Sequence, residues 1–555
     1  MKLKTIAPLV TAVLVPVLIF AIGELALTAA GSGHSASVVR PCKIEGSAAY
    51  CDNQDFTSVV FPAGVTRPPS PFAFAAAKDR NTYRIFVLGE SAAYGDPDPA
   101  YSFSRYLAIM LRHRFPQRRF EVINASITAV NSHVLLRMAK DLAAYQPDLF
   151  IVYAGNNEVI GPYGPGTTLS SQMPGLTVVR ATLALRATRW GQLLARLTQK
   201  PRQFKGMEMF LDQQVPASSP DLPRVYDYLA ANLTDLVRVA NQAHADVILS
   251  TVATNLGDSA PFHSAHKPGL TESALASWEA RFNAGKEKQT AGDYQGAVQE
   301  YLAAEAVDAQ FAELQFRIAS CSLRLGDVPN SKTRFEAARE LDTLRFRADR
   351  GVNQAIMRAA SLAPHATLVD AAAAISSASP DGIPGHELFF DHVHLRPRGN
   401  YLVAAAMFEQ VERMVIKKMG SDSATAAPLT AGLLSSEVLS EDQCDRRLAL
   451  TDYDMTRLAR EMQRRFQRPP FTGQFNNVEQ IERLQQEERE HTVPLDASLA
   501  VYEWAIMNSP DDCLLRQNLG LLLYGINRPA ALAQLRLSRP YHDTALYMPD
   551  GTRIE

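Results

Sequence analysis

Four short, almost uninterrupted apolar runs, spaced by stretches of helical pattern, set the strongest limit on what this chain can fold into. They lie at 83–88, 120–123, 148–153 and 246–250. Runs of this length and apolarity suit strands covered on both faces. Between them, Tyr106, Leu107, Met110 and Leu111 share one helical face, and Ser132 can cap a helix whose inner face is Val134, Leu135, Met138 and Leu142. Strand–helix alternation predicts an α/β fold with a parallel sheet and helices on both sides. Sites in such sheets form at the carboxyl ends of strands. Three runs end in small, polar loops there: Gly89-Glu90-Ser91, Asn124-Ala125-Ser126 and Gly155-Asn156-Asn157.

The chain has 555 residues, more than one core usually holds, so several domains are expected. A formal net charge of −2 argues against a nucleic-acid binder, which needs a basic surface to displace counterions. The basic cluster Arg112, Arg114, Arg118 and Arg119 reads more simply as a solvated helix end.

At the front, Lys2 and Lys4 precede an uncharged, mostly apolar stretch at 5–23. It is about long enough to cross a bilayer as a helix, and the leading lysines predict an exported body on the periplasmic or extracellular side. The competing reading is a cleaved signal peptide, with small residues at Ala26–Ala30 as the cleavage region. The anchor, residues 1–30, is the preferred reading, followed by an irregular linker at 31–80 with an Arg-Pro-Pro-Ser-Pro spacer at 67–71. The five cysteines form no CxxC pair and no zinc-spaced cluster with histidine, so no metal site is expected. Cys42 and Cys51 flank a short polar segment and read either as a disulfide or as two free thiols.

The α/β pattern stops near 272. At 273–345 the pattern is helical and repeats: Gly292-Asp293 recurs as Gly326-Asp327, 34 residues on, with Tyr301 matched by Phe335 and Ala304 by Ala338. The period resembles that of tetratricopeptide (TPR) helical pairs, in which small residues let helices approach and aromatics fill the groove. So few repeats are marginal alone, and the segment is expected to lean on another domain. The α/β pattern resumes at 346–420. The remainder, 421–555, reads as helical, with a charged helix or linker at 479–490 and a further TPR-like pair around Trp504 and Gly520.

Three blocks carry chemistry. Ser91 stands where a buried strand meets a helix, so its hydroxyl and its backbone N–H can serve as nucleophile and oxyanion donor; taken alone it reads more simply as a helix cap. The Asn157 amide, at the end of the third strand, can donate to a developing oxyanion, or belong to an ordinary Asn-rich turn. Asp391-His392-Val393-His394 supplies an imidazole to take a proton and a carboxylate to hold its tautomer, with either histidine able to pair with the aspartate.

Together these blocks resemble the SGNH (GDSL-like) hydrolase family, named for Ser, Gly, Asn and His in four separated blocks. The resemblance spans about 83–415, interrupted by the repeats. It implies a three-layer, flavodoxin-like parallel-sheet core formed by 81–272 and 346–420. It implies Ser91 as nucleophile, His394 as base and Asp391 as its partner, with an oxyanion hole from Ser91, Ser126 and Asn157. The family works without metal or organic cofactor on acyl esters, and an exported position suits an acylated glycan. Two departures matter: Glu90 stands where the family usually has Asp, and Ser126 where it usually has a glycine. The competing class is an interaction protein, with TPR-like helices binding a partner around a weakly active core.

Overall fold

The computed structural model describes residues 3–538 apart from 45, 170–171, 199–204, 423–436 and 491–494, together with 546–547 and 553–554. Its centre is a five-stranded parallel sheet, preceded in the chain by a small antiparallel one. The latter comprises β1 (Val39–Ile44), β2 (Ser47–Asp52) and β3 (Ala73–Ala75). The parallel sheet comprises β4 (Thr82–Gly89), β5 (Arg119–Asn124), β6 (Leu149–Tyr153), β7 (Asp246–Ser250) and β8 (Ala366–Val369), in the order β5-β4-β6-β7-β8. All eight residues of β4 and all five of β6 are buried, as strands covered on both faces require. Taken in chain order, the sheet reads 2-1-3-4-5, the flavodoxin-like arrangement.

Right-handed crossovers then sort the helices. The connection from β4 runs outward to β5 and puts α3 (Phe103–Arg114) on one face, where α14 (Pro397–Asp422) packs beside it. The connections to β6, β7 and β8 run the other way. They put α4 (Ser132–Leu142), α7 (Asp221–Gln242) and α12 (Arg350–Leu362) on the opposite face, packed side by side. The cap of α4 is Asn131 rather than Ser132, whose N–H and hydroxyl instead donate to Glu158.

Strand β8 escapes the sequence because it is only four residues long and largely uncovered at the sheet edge. The segment at 31–80 is not a linker. Phe56, Val59, Phe72 and Phe74 sit in the same core as the parallel sheet, and the Phe74 ring meets the Phe86 ring edge-on at 5.4 Å. Pro41 and the charges of β1 hide that strand from a pattern search. Cys42 and Cys51 are joined by a disulfide linking β1 to β2.

The helical insertion comprises α8 (Glu272–Thr290), α9 (Tyr294–Glu305), α10 (Ala312–Arg324) and α11 (Val328–Leu341), with consecutive helices packed on each other. The repeated Gly-Asp pair is a punctuation device. Gly292 and Gly326 have φ of +81° and +82°, which ends one helix cheaply. Asp293 and Asp327 then cap the next through the N–H groups of Gly296 and Asn330. The insertion does lean on the core: Phe316 and Phe335 pack with Leu256, Ala260 and Ile383.

The C-terminal part is helical: α15 (Glu441–Arg447), α16 (Asp452–Phe466), α17 (Asn477–Glu490), α18 (Leu495–Asn508), α19 (Cys513–Tyr524) and α20 (Arg528–Leu537). At the other end, α1 (Leu3–Ala29) packs on α6 (Arg189–Thr198), where the Glu24 carboxylate accepts from the N–H groups of Arg189 and Trp190. Among the described residues no helix is long and apolar enough to cross a membrane. Lys2 and the side chains of residues 3–13, on which the expected anchor rests, lie outside them.

Gly89 closes β4 against its neighbours: a Cβ there would collide with the Tyr153 carbonyl oxygen and the Ala93 methyl. Because one obstacle is backbone of the adjacent strand, Gly89→Ala is expected to cost about 1–3 kcal/mol. A lower urea midpoint, by circular dichroism, checks this.

Candidate active site

The strand order reverses direction around β4 and β6, and the crevice beyond their carboxyl ends is where ligands bind in open α/β sheets. Ser91 opens a four-residue helical turn, α2 (Ser91–Tyr94), immediately after β4. Gly95, at φ +93°, ends that turn, so the chain doubles back and presents Ser91 at the crest. At the first helical position the Ser91 N–H has no acceptor within the helix.

His394 reaches this turn from a position 303 residues away. Its Nε2 lies 2.9 Å from Ser91 Oγ. Its Nδ1 lies 2.6 Å from Asp391 Oδ2, while the other carboxylate oxygen accepts from the N–H groups of Val393 and His394. Serine, imidazole and carboxylate thus form one hydrogen-bonded line. His392 does not face Ser91: its buried ring lies among Phe262, Phe346 and Phe471.

Charge placement suits proton transfer. Burial disfavours the His394 imidazolium, but Asp391 and then Asp96 outweigh it and raise the imidazole's pKa. Burial also works against the Asp391 carboxylate, yet His394 and His392 hold it well below the usual range. Asp391 therefore stays ionised wherever His394 titrates. Asp96 Oδ2 lies 3.3 Å from His394 Nε2, and Arg465 of α16 grips both oxygens of Asp96. Neither Asp96 nor Arg465 carries a sequence signal of its own: they are far apart in the chain and in different patterns.

Glu90 explains how a longer acid serves in the first block. Its buried carboxylate accepts from the N–H groups of Gly155, Asn156 and Asn157, at 2.9–3.3 Å. It thereby ties the Ser91 turn to the loop after β6. Burial, then repulsion from Glu158, pushes the Glu90 pKa well up, against those three donors. Glu158 is itself raised to about 7 by burial, against its bonds from Ser132. With its backbone so held, Asn157 keeps a side-chain amide that has no partner among the described residues.

Ser126 departs from expectation. It lies beside Gly89, but its N–H donates to Asn124 Oδ1 at 3.2 Å, and its buried hydroxyl has no hydrogen-bond partner among the described residues. Asn124 in turn donates to the carbonyls of Ala93 and Tyr94 in the Ser91 turn. An oxyanion role for Ser126 therefore requires its N–H to leave Asn124.

Among the described residues two clusters bring potential metal donors together: Asp391, His392 and His394, and Asp258, His386 and Glu387. In the first, the His394 ring is engaged by Asp391 and Ser91. In the second, Asp258 also pairs with Arg483 at 2.9 Å.

Glu90→Ala leaves three buried N–H groups without an acceptor, at roughly 1–3 kcal/mol each when unrelieved. The variant is expected to lose at least tenfold in kcat/KM as the Asn157 loop loosens. Tm, measured on the same preparation, is expected to fall as well.

No curated protein matches the chain. The family model for the GDSL-like lipase/acylhydrolases matches residues 85–407, from within β4 to within α14. That match takes in more than half of the sequence and all three blocks, and the chain belongs to the GDSL-like lipase/acylhydrolase family.

Proposed function

We propose that the protein is a serine-dependent esterase or O-acyl transferase, with Ser91 as nucleophile, His394 as base and Asp391 as its orienting partner. The observation that carries this reading is the 2.9 Å approach of His394 Nε2 to Ser91 Oγ, continued to Asp391 at 2.6 Å. His394 takes the Ser91 proton as Oγ attacks the ester carbonyl, then delivers it to the departing alcohol oxygen. The Ser91 N–H and the Asn157 amide stabilise the oxyanion, joined by Ser126 once its N–H turns from Asn124. Water, or a second hydroxyl, then takes the acyl group from Ser91. The substrate is an acyl ester, and we place the acyl group on a cell-envelope glycan, with the body exported and α1 as anchor. The α8–α11 helices, read as TPR-like pairs, give a protein partner its surface. The competing reading, a weakly active scaffold, draws on one observation: the Ser126 N–H is already bonded.

A fluorophosphonate probe separates the two. Labelling of the wild type that disappears in Ser91→Ala supports the enzyme; a folded, unlabelled wild type supports the scaffold. In a hydrolysis assay, Asn157→Ala is expected to lower kcat by about two to three orders of magnitude, roughly 3 kcal/mol of barrier. The base must be neutral to accept a proton, and its pKa is raised. Activity is therefore lost as pH falls through a midpoint above that of an ordinary histidine, about 6.5. A kcat/KM profile whose acid limb lies below that value contradicts the assignment of His394.

A further inference from the structure

We propose that Asp96 is a positioning carboxylate on the proton-carrying nitrogen of His394, and that Arg465 of the C-terminal helices sets how strongly it acts. The inference rests on the relay proposed above and adds a second acid to it.

Asp96 follows the left-handed Gly95, five residues after Ser91. It meets Nε2, the nitrogen that faces the serine, while Asp391 holds Nδ1. The imidazole is thus bracketed by carboxylates on both nitrogens. Arg465 binds Asp96 with two guanidinium nitrogens, and its Nε lies 3.1 Å from Glu461 Oε1. A fork held at both ends presents its charge in a fixed place. The charged and titratable groups facing His394 are therefore Asp391 and His392 from its own segment, Asp96 from the nucleophile loop and Arg465 from α16, with Glu461 behind.

The roles follow from where the proton goes. It leaves Ser91 Oγ, rides on His394 Nε2 and ends on the departing alcohol oxygen. While it sits on Nε2, Asp96 stabilises the imidazolium from the same side. Asp96 does not take the proton. Burial works against its charge, but His394 and Arg465 outweigh burial and lower its pKa. Arg465 also limits Asp96: its positive charge offsets part of the carboxylate's pull on His394, so the pair does not hold the imidazole protonated and idle.

A structural tie between the C-terminal helices and the core is the alternative, and the same helix supplies its control. Arg457, two turns earlier on α16, pairs with Asp98 of the same loop. Asp98 bonds Ala100 N–H and the Asn518 amide, and the imidazole is not among its partners. Both arginines tie the loop down; only Arg465 acts on a carboxylate that touches His394.

The test is the titration of His394 in the full chain, followed by NMR of ¹⁵N-histidine, its resonance assigned by its loss in His394→Gln. Asp96→Asn is expected to lower the midpoint by roughly one pH unit, and Arg465→Gln to raise it by a similar amount. Arg465→Lys, which keeps charge without the fork, falls between wild type and Arg465→Gln. Arg457→Gln leaves the midpoint where it was. A midpoint unmoved in both Asp96→Asn and Arg465→Gln overturns the proposal, whatever happens to Tm. Fluorophosphonate labelling run alongside keeps the two readings apart. Labelled Ser91 with an unmoved midpoint removes Asp96 alone, whereas an unlabelled wild type with shifted midpoints removes the relay and leaves the electrostatic pairing standing.

Discussion

The Glu90 carboxylate is the interaction on which the rest of the site depends. It belongs to the end of β4 but spends its oxygens on three consecutive N–H groups after β6. Those strands are hydrogen-bonded neighbours up to Gly89 and Tyr153, and the Glu90 carboxylate carries the link on into the loops beyond the sheet. A carboxylate can accept several N–H donors at once, which no neutral side chain of that size can match. The tie also frees Asn157: once its backbone is anchored from behind, its amide need not be spent on holding the loop. Burying an acid is costly, and the raised pKa of Glu90 records that cost. The donors around it offset the penalty locally, and the surrounding sheet absorbs the remainder.

Around His394 the problem is opposite. A buried imidazole loses basicity unless charges compensate, as His133 does at about 4, lowered by burial and then by the Arg180 charge. A base that weak would accept a serine proton poorly. Asp391 restores the basicity from Nδ1, and Asp96 adds to it from Nε2. Too much compensation would lock the ring in its charged form, so the Arg465 fork on Asp96 acts as a counterweight. The site therefore balances burial, two acids and one guanidinium, and the last of these comes from outside the family-matched region.

What could be read in advance tracks how local the physics is. Strands β4, β6 and β7 are legible because burial on both faces leaves continuous apolar runs, and the edge strand β5 because Phe120, Val122 and Ile123 keep most of one. Ser91, Asn157 and Asp391 stand out because they are polar residues set just after apolar strands or just before a helix. The choice between His392 and His394 needed the family pattern, since both are near Asp391; aromatic packing around His392 is a property of the fold. The Asp96–Arg465 pair spans 369 residues and has no periodicity to betray it. Strands β1 to β3 are hidden for different reasons: β1 carries Pro41 between Arg40 and Lys43, β2 opens on the small residues Ser47, Ala48 and Ala49 and ends on Asp52, and β3 is only three residues long. The Asn124 bond that occupies Ser126 is a two-residue, side-chain-to-backbone contact of the kind that sequence composition cannot fix.

The insertion shows why a sheet can be interrupted by so many residues without harm. Its two ends lie together: Thr343 N–H donates to the His263 carbonyl, and the Asp342 carboxylate accepts from Phe262 and His263. Arg347 then ties this junction to the carbonyls of Asn255 and Ser259, in the stretch that leads back toward Asp391. Because the entropy of closing a loop grows only slowly with its length, a folded excursion between fixed ends costs the core little. The buried Asp342–Arg347 pair does the fixing, so β7 and β8 can pair as though the intervening helices were a short turn. The Asp391–His394 segment inherits that stability, since Asn255 holds both the Asp391 carbonyl and, through its own N–H, that of His392. An imidazole far along the chain can therefore be aimed at Ser91 only because the excursion before it begins and ends at one fixed point.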